Sequence, residues 1–272
     1  MLVDIFAYPF MQNAFLAGSI VAILAGVVGV FVIARGLSFI THTFADIGFS
    51  GAAMAVYLGW NPLYGFLLFT VSSAMVLAQL GLKVFRRDVA NGVVLSFFLG
   101  LGILFLSLAT KQVSSVINLL FGSIFGISRS QAYELMGLSA AVLVVLFLGY
   151  RMLLFDTFDP AGAEAKGLPV RMISTVFLFL LSITVVGAAQ LMGTLLVFTL
   201  TIIPAASARH LTHRVPRMML YAAFLALIGV WVGLFLGYYT NAPVTFYIAT
   251  VETLIYVAAT TYQKIRNRRI SL

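Results

Sequence analysis

The sequence QNAFLAGSIVAILAGVVGVFVIA, residues 12–34, is a run of 23 residues without a charged side chain. A transmembrane helix needs about 20 mainly apolar residues to cross a hydrocarbon core about 30 Å thick. The whole chain has the same character, because 62% of its 272 residues are hydrophobic and only 9% are charged, against about 25% in a soluble domain. We therefore predict an all-α, polytopic transmembrane helix bundle that contacts membrane lipid.

Two features of the composition exclude other classes of protein. The chain has no cysteine, which excludes disulfide frameworks, thiolate metal sites and thiol catalysis. Its net charge of +8 does not indicate nucleic-acid binding, because the basic residues form short clusters between apolar runs, as they do in the cytoplasmic loops of membrane proteins. We predict no nucleic-acid partner.

Charge-free runs and turn residues predict nine spans, with eight or ten as alternatives. Residues 59–62, GWNP, break one run, and residues 172–208 would form a helix of about 55 Å, too long for one span, so we place a break within 187–193. Residues 112–128 are too short to span and indicate a re-entrant or interfacial segment. The predicted spans are residues 12–34, 44–59, 63–84, 88–110, 130–153, 170–188, 191–208, 217–238 and 244–263.

The distribution of basic residues predicts the orientation of the chain. With nine alternating spans, all but two of the 16 Lys and Arg residues fall on one side, and the exceptions are Lys111 and Arg129. An excess of Lys and Arg marks the cytoplasmic side of a membrane. We therefore predict a cytoplasmic C-terminus and an N-terminus on the opposite side.

The second predicted span carries a pair of metal-ligand types. His42 and Asp46 are four residues apart, which places them on one helical face, and Ser38 and Ser50 extend this stripe. Imidazole and carboxylate bind Zn²⁺, Mn²⁺ or Fe²⁺, and ionisable residues within a span mark ion pathways by default. Alternatively, the two side chains merely pair with each other. Two ligands do not complete a metal site, so another helix or a second copy of the chain must supply the others.

The stretch DPAGAEAKG predicts a short helix on the basic side of the membrane. Asp159 is a suitable N-cap and Pro160 fits the first helical position. Ala163 and Glu164 fall within the helix, and Gly167 can end it. The helix is either an ordinary connection between two spans or an element on which a cytoplasmic partner docks.

Glu252 is alone in the last predicted span, and its role is open. A buried carboxylate can be a ligand, a gate or a proton site on a transport pathway. The alternative, which we favour, is a protonated or hydrogen-bonded glutamate between helices. The sequence has no Gly-rich phosphate loop with a following Lys-Ser/Thr and no H-E-x-x-H motif, so we predict no enzyme activity and no ATP hydrolysis by this chain.

Five segments, in this order, resemble the membrane permease of bacterial ABC importers for manganese, zinc or iron. Residues 35–51 resemble the early signature of that family, a basic residue followed by G-D-x-x-S-H-x-x-x-x-G. The other segments are DVANGVVLSFFLGLGILFLSL (88–108), NLLFGSI (118–124), the D-P-x-x-A-x-x-x-G-L coupling helix (159–169) and GTLLVFTLTIIPAASA (193–208). One departure is that the family places Asp first and His four residues later, whereas here His42 precedes Asp46.

The resemblance implies a single transmembrane permease domain over residues 1–272, of the cobalamin and metal-chelate importer type, in a bacterial inner membrane. Two copies would form a homodimer around the pathway, with a cytoplasmic ABC ATPase on each coupling helix near residues 159–168. An extracytoplasmic metal-binding protein would deliver the ion, which is cargo rather than a permanently bound cofactor. The resemblance assigns metal contact to His42 and Asp46, and transport would proceed by alternating access.

Three alternatives remain open from the sequence. An importer of the same architecture for a metal chelate or cobalamin would have a wide pathway without need of the His42 and Asp46 pair. An ion-coupled secondary transporter would work without an ATPase and would use Asp46 and Glu252 as cation sites. An intramembrane metalloprotease is disfavoured, because the spans contain one histidine and no partner motif.

Overall fold

The computed structural model describes residues 5–80, 88–109 and 120–270, and every regular element within them is helical. Eleven α-helices can be followed through these residues, together with single 3₁₀ turns at Ile124–Gly126 and Thr194–Leu196. The α-helices are α1 (Pro9–Arg35), α2 (Ser38–Tyr57), α3 (Pro62–Leu80), α4 (Asp88–Leu108), α5 (Arg129–Leu148), α6 (Tyr150–Phe158), α7 (Pro160–Ala165), α8 (Val170–Met192), α9 (Val197–Leu211), α10 (Val215–Thr240) and α11 (Val244–Ile270).

Each of the nine predicted spans corresponds to a helix. Within the described residues, six of these helices, α1, α3, α5, α8, α10 and α11, are long and apolar enough to cross a membrane. The helix α9 has only 15 residues, fewer than a straight crossing requires. The chain is therefore a multi-pass membrane protein, and its described residues form an all-helical bundle.

Several predicted boundaries are corrected. The helix α2 begins at Ser38 rather than at residue 44, because Gly36, at φ 68°, ends α1 with its N–H bonded to the Ile33 carbonyl, and the chain returns to helical conformation within two residues. The span predicted over 130–153 ends at Leu148, and a separate helix, α6, follows Gly149.

The break predicted within residues 187–193 is present, at the last residue of that range. The helix α8 continues through Gln190 to Met192 and stops at Gly193, which has φ 78°. A Cβ at position 193 would overlap the Leu120 carbonyl oxygen, so glycine satisfies both the backbone conformation and the close approach.

Part of the predicted interfacial segment 112–128 lies outside the described residues, as do Lys83, Arg86, Arg87 and Lys111 from the orientation argument. The described part of the segment contains the 3₁₀ turn Ile124–Gly126, whose first residue is buried beside α1.

The helix α1 lies at the centre of the bundle and packs against α5, α8, α9 and α10. Glycines on α1 allow this close packing, since a Cβ at Gly26 would overlap the backbone of Ala222, and one at Gly29 would overlap the Thr201 carbonyl. Small residues at helix contacts are typical of membrane bundles, where backbones must approach closely. The helix α2 packs mainly against α3 and α4, with α8 and α9 also in contact. The residues predicted to contact metal are therefore held on a helix with neighbours on several sides.

Candidate metal-transport site

His42 and Asp46 face the same side of α2, as their spacing predicts. The His42 Nε2 atom lies 3.6 Å from Asp46 Oδ2. The Asp46 side chain is only 5% exposed, whereas that of His42 is 35% exposed. The Nδ1 atom of His42 is buried and has no hydrogen-bond partner. The two side chains are therefore close enough to pair, yet one polar atom of the pair remains without a partner.

The distance between the two side chains is suited to a shared ion. Nitrogen and oxygen ligands bind a transition metal at about 2.1 Å, and two such ligands at a tetrahedral angle lie about 3.4 Å apart. The observed 3.6 Å between His42 Nε2 and Asp46 Oδ2 is close to this value. A direct ion pair between the same groups at 3.6 Å is a weak one. The geometry is therefore compatible with both predicted roles, metal contact and mutual pairing.

Ser38 and Ser50 flank the pair along the same stripe. Ser38 is half-buried at the start of α2. Ser50 is fully buried, and its hydroxyl lies within hydrogen-bonding reach of two carbonyl oxygens, that of Asp46 at 3.2 Å and that of Phe98 on α4. The Ser50 hydroxyl thus contributes to the contact between α2 and α4, and a role for either serine in a pathway stays a prediction.

Within the residues that the structure describes, the pair does not form a complete set of metal ligands. Among the described residues, no group of three or more His, Cys, Asp or Glu side chains is placed to hold a metal ion. Further ligands must therefore come from water, backbone carbonyls or a second copy of the chain.

Glu252 lies between helices, in a different part of the bundle. Its side chain is fully buried, and neither carboxyl oxygen has a hydrogen-bond partner. The carboxyl group lies directly against Gly229 of α10, where a Cβ would overlap it. The helix α11 packs chiefly on α9 and α10, whereas α2 packs chiefly on α3 and α4. The interhelical position agrees with the interpretation favoured from the sequence, but the hydrogen bond that this interpretation allows is not formed.

The short helix predicted on the basic side is present as α7. The Asp159 carboxylate accepts a hydrogen bond of 2.9 Å from the Gly162 N–H, and Pro160 is the first helical residue. Ala163 is buried, whereas Glu164 is exposed. Gly167, at φ 74°, reverses the chain after the helix. The predicted structure is confirmed, and the docking role stays a prediction.

A buried ion pair near α7 was not predicted. Arg35, at the end of α1, contacts Asp156 of α6 with 2.6 Å between Nη2 and Oδ2. In the sequence, Arg35 is one of the basic residues that predict the orientation and the basic residue that opens the early family signature, and neither feature links it to a carboxylate 121 positions away. The sequence feature that could have indicated this ion pair is Asp156 itself, because the chain has only eight Asp and Glu residues.

Similarity to known proteins identifies the family. A model of the ABC 3 transport family matches residues 7–263. The chain belongs to the ABC 3 transport family. This confirms the resemblance drawn from the five segments and makes the chain a transport protein of the membrane.

Relatives of this ABC 3 family member cover nearly its whole length. It is 31% identical over 262 residues to the uncharacterized membrane protein slr2045 of Synechocystis, with 96% of this chain and 91% of that protein covered. It is 30% identical over 253 residues to the manganese import system permease protein ScaB of Streptococcus gordonii, with 93% and 91% covered. The solved structure of PsaBC from Streptococcus pneumoniae in complex with a Fab matches it with a TM-score of 0.87 at 27% identity, covering 98% of this chain and 100% of that chain.

Proposed function

We propose that this ABC 3 protein is the membrane permease of an ATP-driven importer for a divalent transition-metal ion, with Mn²⁺ as the first candidate. The observation that carries the proposal is the His42 and Asp46 pair, with 3.6 Å between its donor atoms on a helix of the bundle. The naming of a relative as a manganese import permease supports Mn²⁺. Zn²⁺ and Fe²⁺ share the same ligand types and are the alternative cargoes.

The incomplete site is suited to cargo rather than to a resident metal. One nitrogen and one carboxylate oxygen per chain hold an ion weakly, and an ion in transit must leave the site again. A second copy of the chain related by a two-fold axis would add an equal pair, giving four ligands. Mn²⁺ lies at the weak end of the common affinity order and accepts carboxylate oxygen readily, so a mixed nitrogen and oxygen set is chemically appropriate.

The proposal includes partners on both sides of the membrane. A second copy completes the pathway, an extracytoplasmic binding protein delivers the ion, and a cytoplasmic ATPase docks on α7 of each chain. The exposed residues Asp159, Pro160 and Glu164 present a docking surface, to which Glu164 contributes a carboxylate. ATP binding would move α7, and the bundle would expose the His42 and Asp46 pair alternately to the two sides. The whole chain, residues 1–272, would act as one permease domain in a bacterial inner membrane.

The test is metal uptake by the reconstituted complex of this chain with its ATPase and binding protein. We expect His42→Ala and Asp46→Ala each to lower Mn²⁺ uptake at least tenfold, since even partners outside the first ligand shell contribute 10–100-fold in metal sites. His213→Ala is the matched control, because His213 is an exposed histidine outside the pair. Uptake that survives both alanine variants would overturn the metal-ion proposal in favour of a chelate. Uptake by the chain alone, without ATPase, would instead identify a secondary transporter.

A further inference from the structure

The cytoplasmic end of α1 contains an ion pair that is almost completely buried. The side chains of Arg35 and Asp156 are 7% and 3% exposed. Charges with so little solvent are retained only when they are paired and hydrogen-bonded, and removing one partner leaves the other charge uncompensated. The pair therefore resists separation when the surrounding helices move.

The Arg35 guanidinium joins three helices. From α6 it contacts Asp156 at 2.6 Å and donates through Nε to the Thr157 hydroxyl at 2.9 Å. From α8 it contacts the Ser174 hydroxyl at 3.2 Å and lies over the Phe177 ring, 5.0 Å from its centre. These contacts use the planar fork of donors and the flat face of arginine, which lysine does not have.

The Arg35–Asp156 pair connects α7, the proposed ATPase contact, with the start of α2, the proposed metal-contact helix. Asp156 is three residues before Asp159, the N-cap of α7. The Lys166 ammonium lies 4.7 Å from the centre of the Phe155 ring, which holds the end of the docking segment against α6. On the other side of the pair, Arg35 immediately precedes Gly36, the left-handed residue between α1 and α2. His42 follows one turn after the start of α2.

We propose that Arg35 and Asp156 are positioning residues that transmit movement of α7 to the start of α2. The inference rests on the proposed function, because it takes α7 as the ATPase contact and α2 as the metal-contact helix. When α6 and α7 shift together, the buried carboxylate carries the Arg35 guanidinium with it, since separation would leave two unpaired charges. Gly36 absorbs the movement, because it has a conformation that side chains rarely adopt and, among the described residues, no atom beyond its chain neighbours lies within 4 Å of where its Cβ would be.

The test separates transmission from stability. The double variant Arg35→Met/Asp156→Leu removes both charges and keeps an apolar contact, an exchange that commonly leaves a protein as stable as before or more so. In the reconstituted complex we expect it to assemble and hydrolyse ATP, but to import at least tenfold less Mn²⁺ per ATP. Arg35→Lys should show the same defect to a smaller degree. The control is Arg151→Lys, an exposed arginine on the same helix as Asp156.

A second measurement does not depend on the cargo. Because the chain has no cysteine, Phe39→Cys places one reactive thiol at an exposed position near the start of α2. In the complex, we expect a non-hydrolysable ATP analogue to change the maleimide modification rate of this cysteine severalfold. When Arg35→Met and Asp156→Leu are present in the same chain, the analogue should leave the rate unchanged. A full nucleotide response in that background, or uptake per ATP equal to that of the unmodified complex, would overturn the inference. Failure of the unmodified complex to import metal would overturn the proposed function, and this inference with it, before any variant is made.

Discussion

The Arg35–Asp156 pair and the His42–Asp46 pair differ in distance, burial and completeness. The first has 2.6 Å between its charged atoms, and both side chains are buried. The second has 3.6 Å between its donor atoms, and its histidine is 35% exposed. Arg35 has further partners on two helices, whereas His42 Nδ1 has none.

The comparison indicates which pair holds the fold and which is available to a ligand. A buried pair whose guanidinium is also hydrogen-bonded to hydroxyls on two helices contributes by positioning those helices. A looser pair, with a partly exposed histidine and 3.6 Å between Nε2 and Oδ2, is the one that a cation can join. Two of the following four predictions test this division of roles and the other two test α7 and Glu252, beginning with the largest expected effect.

Removing one partner of the buried pair should have the largest effect on stability. We expect Arg35→Met to lower the free energy of unfolding by about 3–5 kcal/mol, because Asp156 would remain as an uncompensated buried carboxylate. The measurement is unfolding in mixed micelles titrated with denaturing detergent. Arg151→Met, at an exposed position, should change the same quantity by about 0.5 kcal/mol or less. Equal effects of the two variants would contradict the comparison.

Reversing the charge of α7, the proposed docking helix, should weaken ATPase binding without unfolding the bundle. We expect Glu164→Lys to reduce co-purification of the ATPase at least tenfold, because the exposed carboxylate of α7 would carry the opposite charge. Glu134→Lys is the matched control, since Glu134 is exposed on α5, at the end of the bundle opposite α7 in the predicted orientation. Full ATPase recovery with Glu164→Lys would show that α7 is an ordinary connection.

The features that could be predicted from the sequence depend on residues that are close together along the chain. The apolar runs predict the helices, Asp159 and Pro160 predict the start of α7, and a spacing of four places His42 and Asp46 on one face. Each of these follows from helix geometry, which relates near neighbours only. The start of α2 was missed because Gly36 ends one helix while allowing another to begin almost at once.

The remaining features depend on tertiary contacts. Arg35 and Asp156 meet because α1 and α6 converge, and nothing in the residues around either side chain indicates this. The sequence pattern likewise does not identify further ligands for a metal at His42 and Asp46. Within the described residues, no third His, Cys, Asp or Glu side chain joins the pair. A metal site at this pair would need further groups, which the described part of one chain does not bring beside it.

Glu252 offers a test of a buried carboxyl that belongs to neither pair. Both of its oxygens lack hydrogen-bond partners, and a buried unsatisfied group costs about 1–3 kcal/mol. We expect Glu252→Met, which has similar length and no such group, to raise the free energy of unfolding by about 1 kcal/mol while metal uptake stays unchanged. Glu134→Met, at an exposed site, is the control. A large loss of uptake would instead make Glu252 a pathway residue, as the other interpretation of the sequence predicts.

We expect the smallest change in stability from a substitution at His42, where the effect on transport should be large. His42→Ala also leaves a buried carboxylate, Asp46, but the lost contact is 3.6 Å long rather than 2.6 Å and the histidine is 35% exposed, so water can take the place of the imidazole. Pairs with one partly exposed partner contribute about 0–1 kcal/mol. We expect the free energy of unfolding to fall by about 0.5 kcal/mol or less in the same detergent titration. The same variant should lower Mn²⁺ uptake at least tenfold. At His42 a loss of uptake is therefore not explained by a loss of stability, whereas at Arg35 the large loss of stability prevents this distinction. A stability loss as large as that of Arg35→Met would make His42 and Asp46 a structural pair, and the ion would then have to pass elsewhere in the bundle.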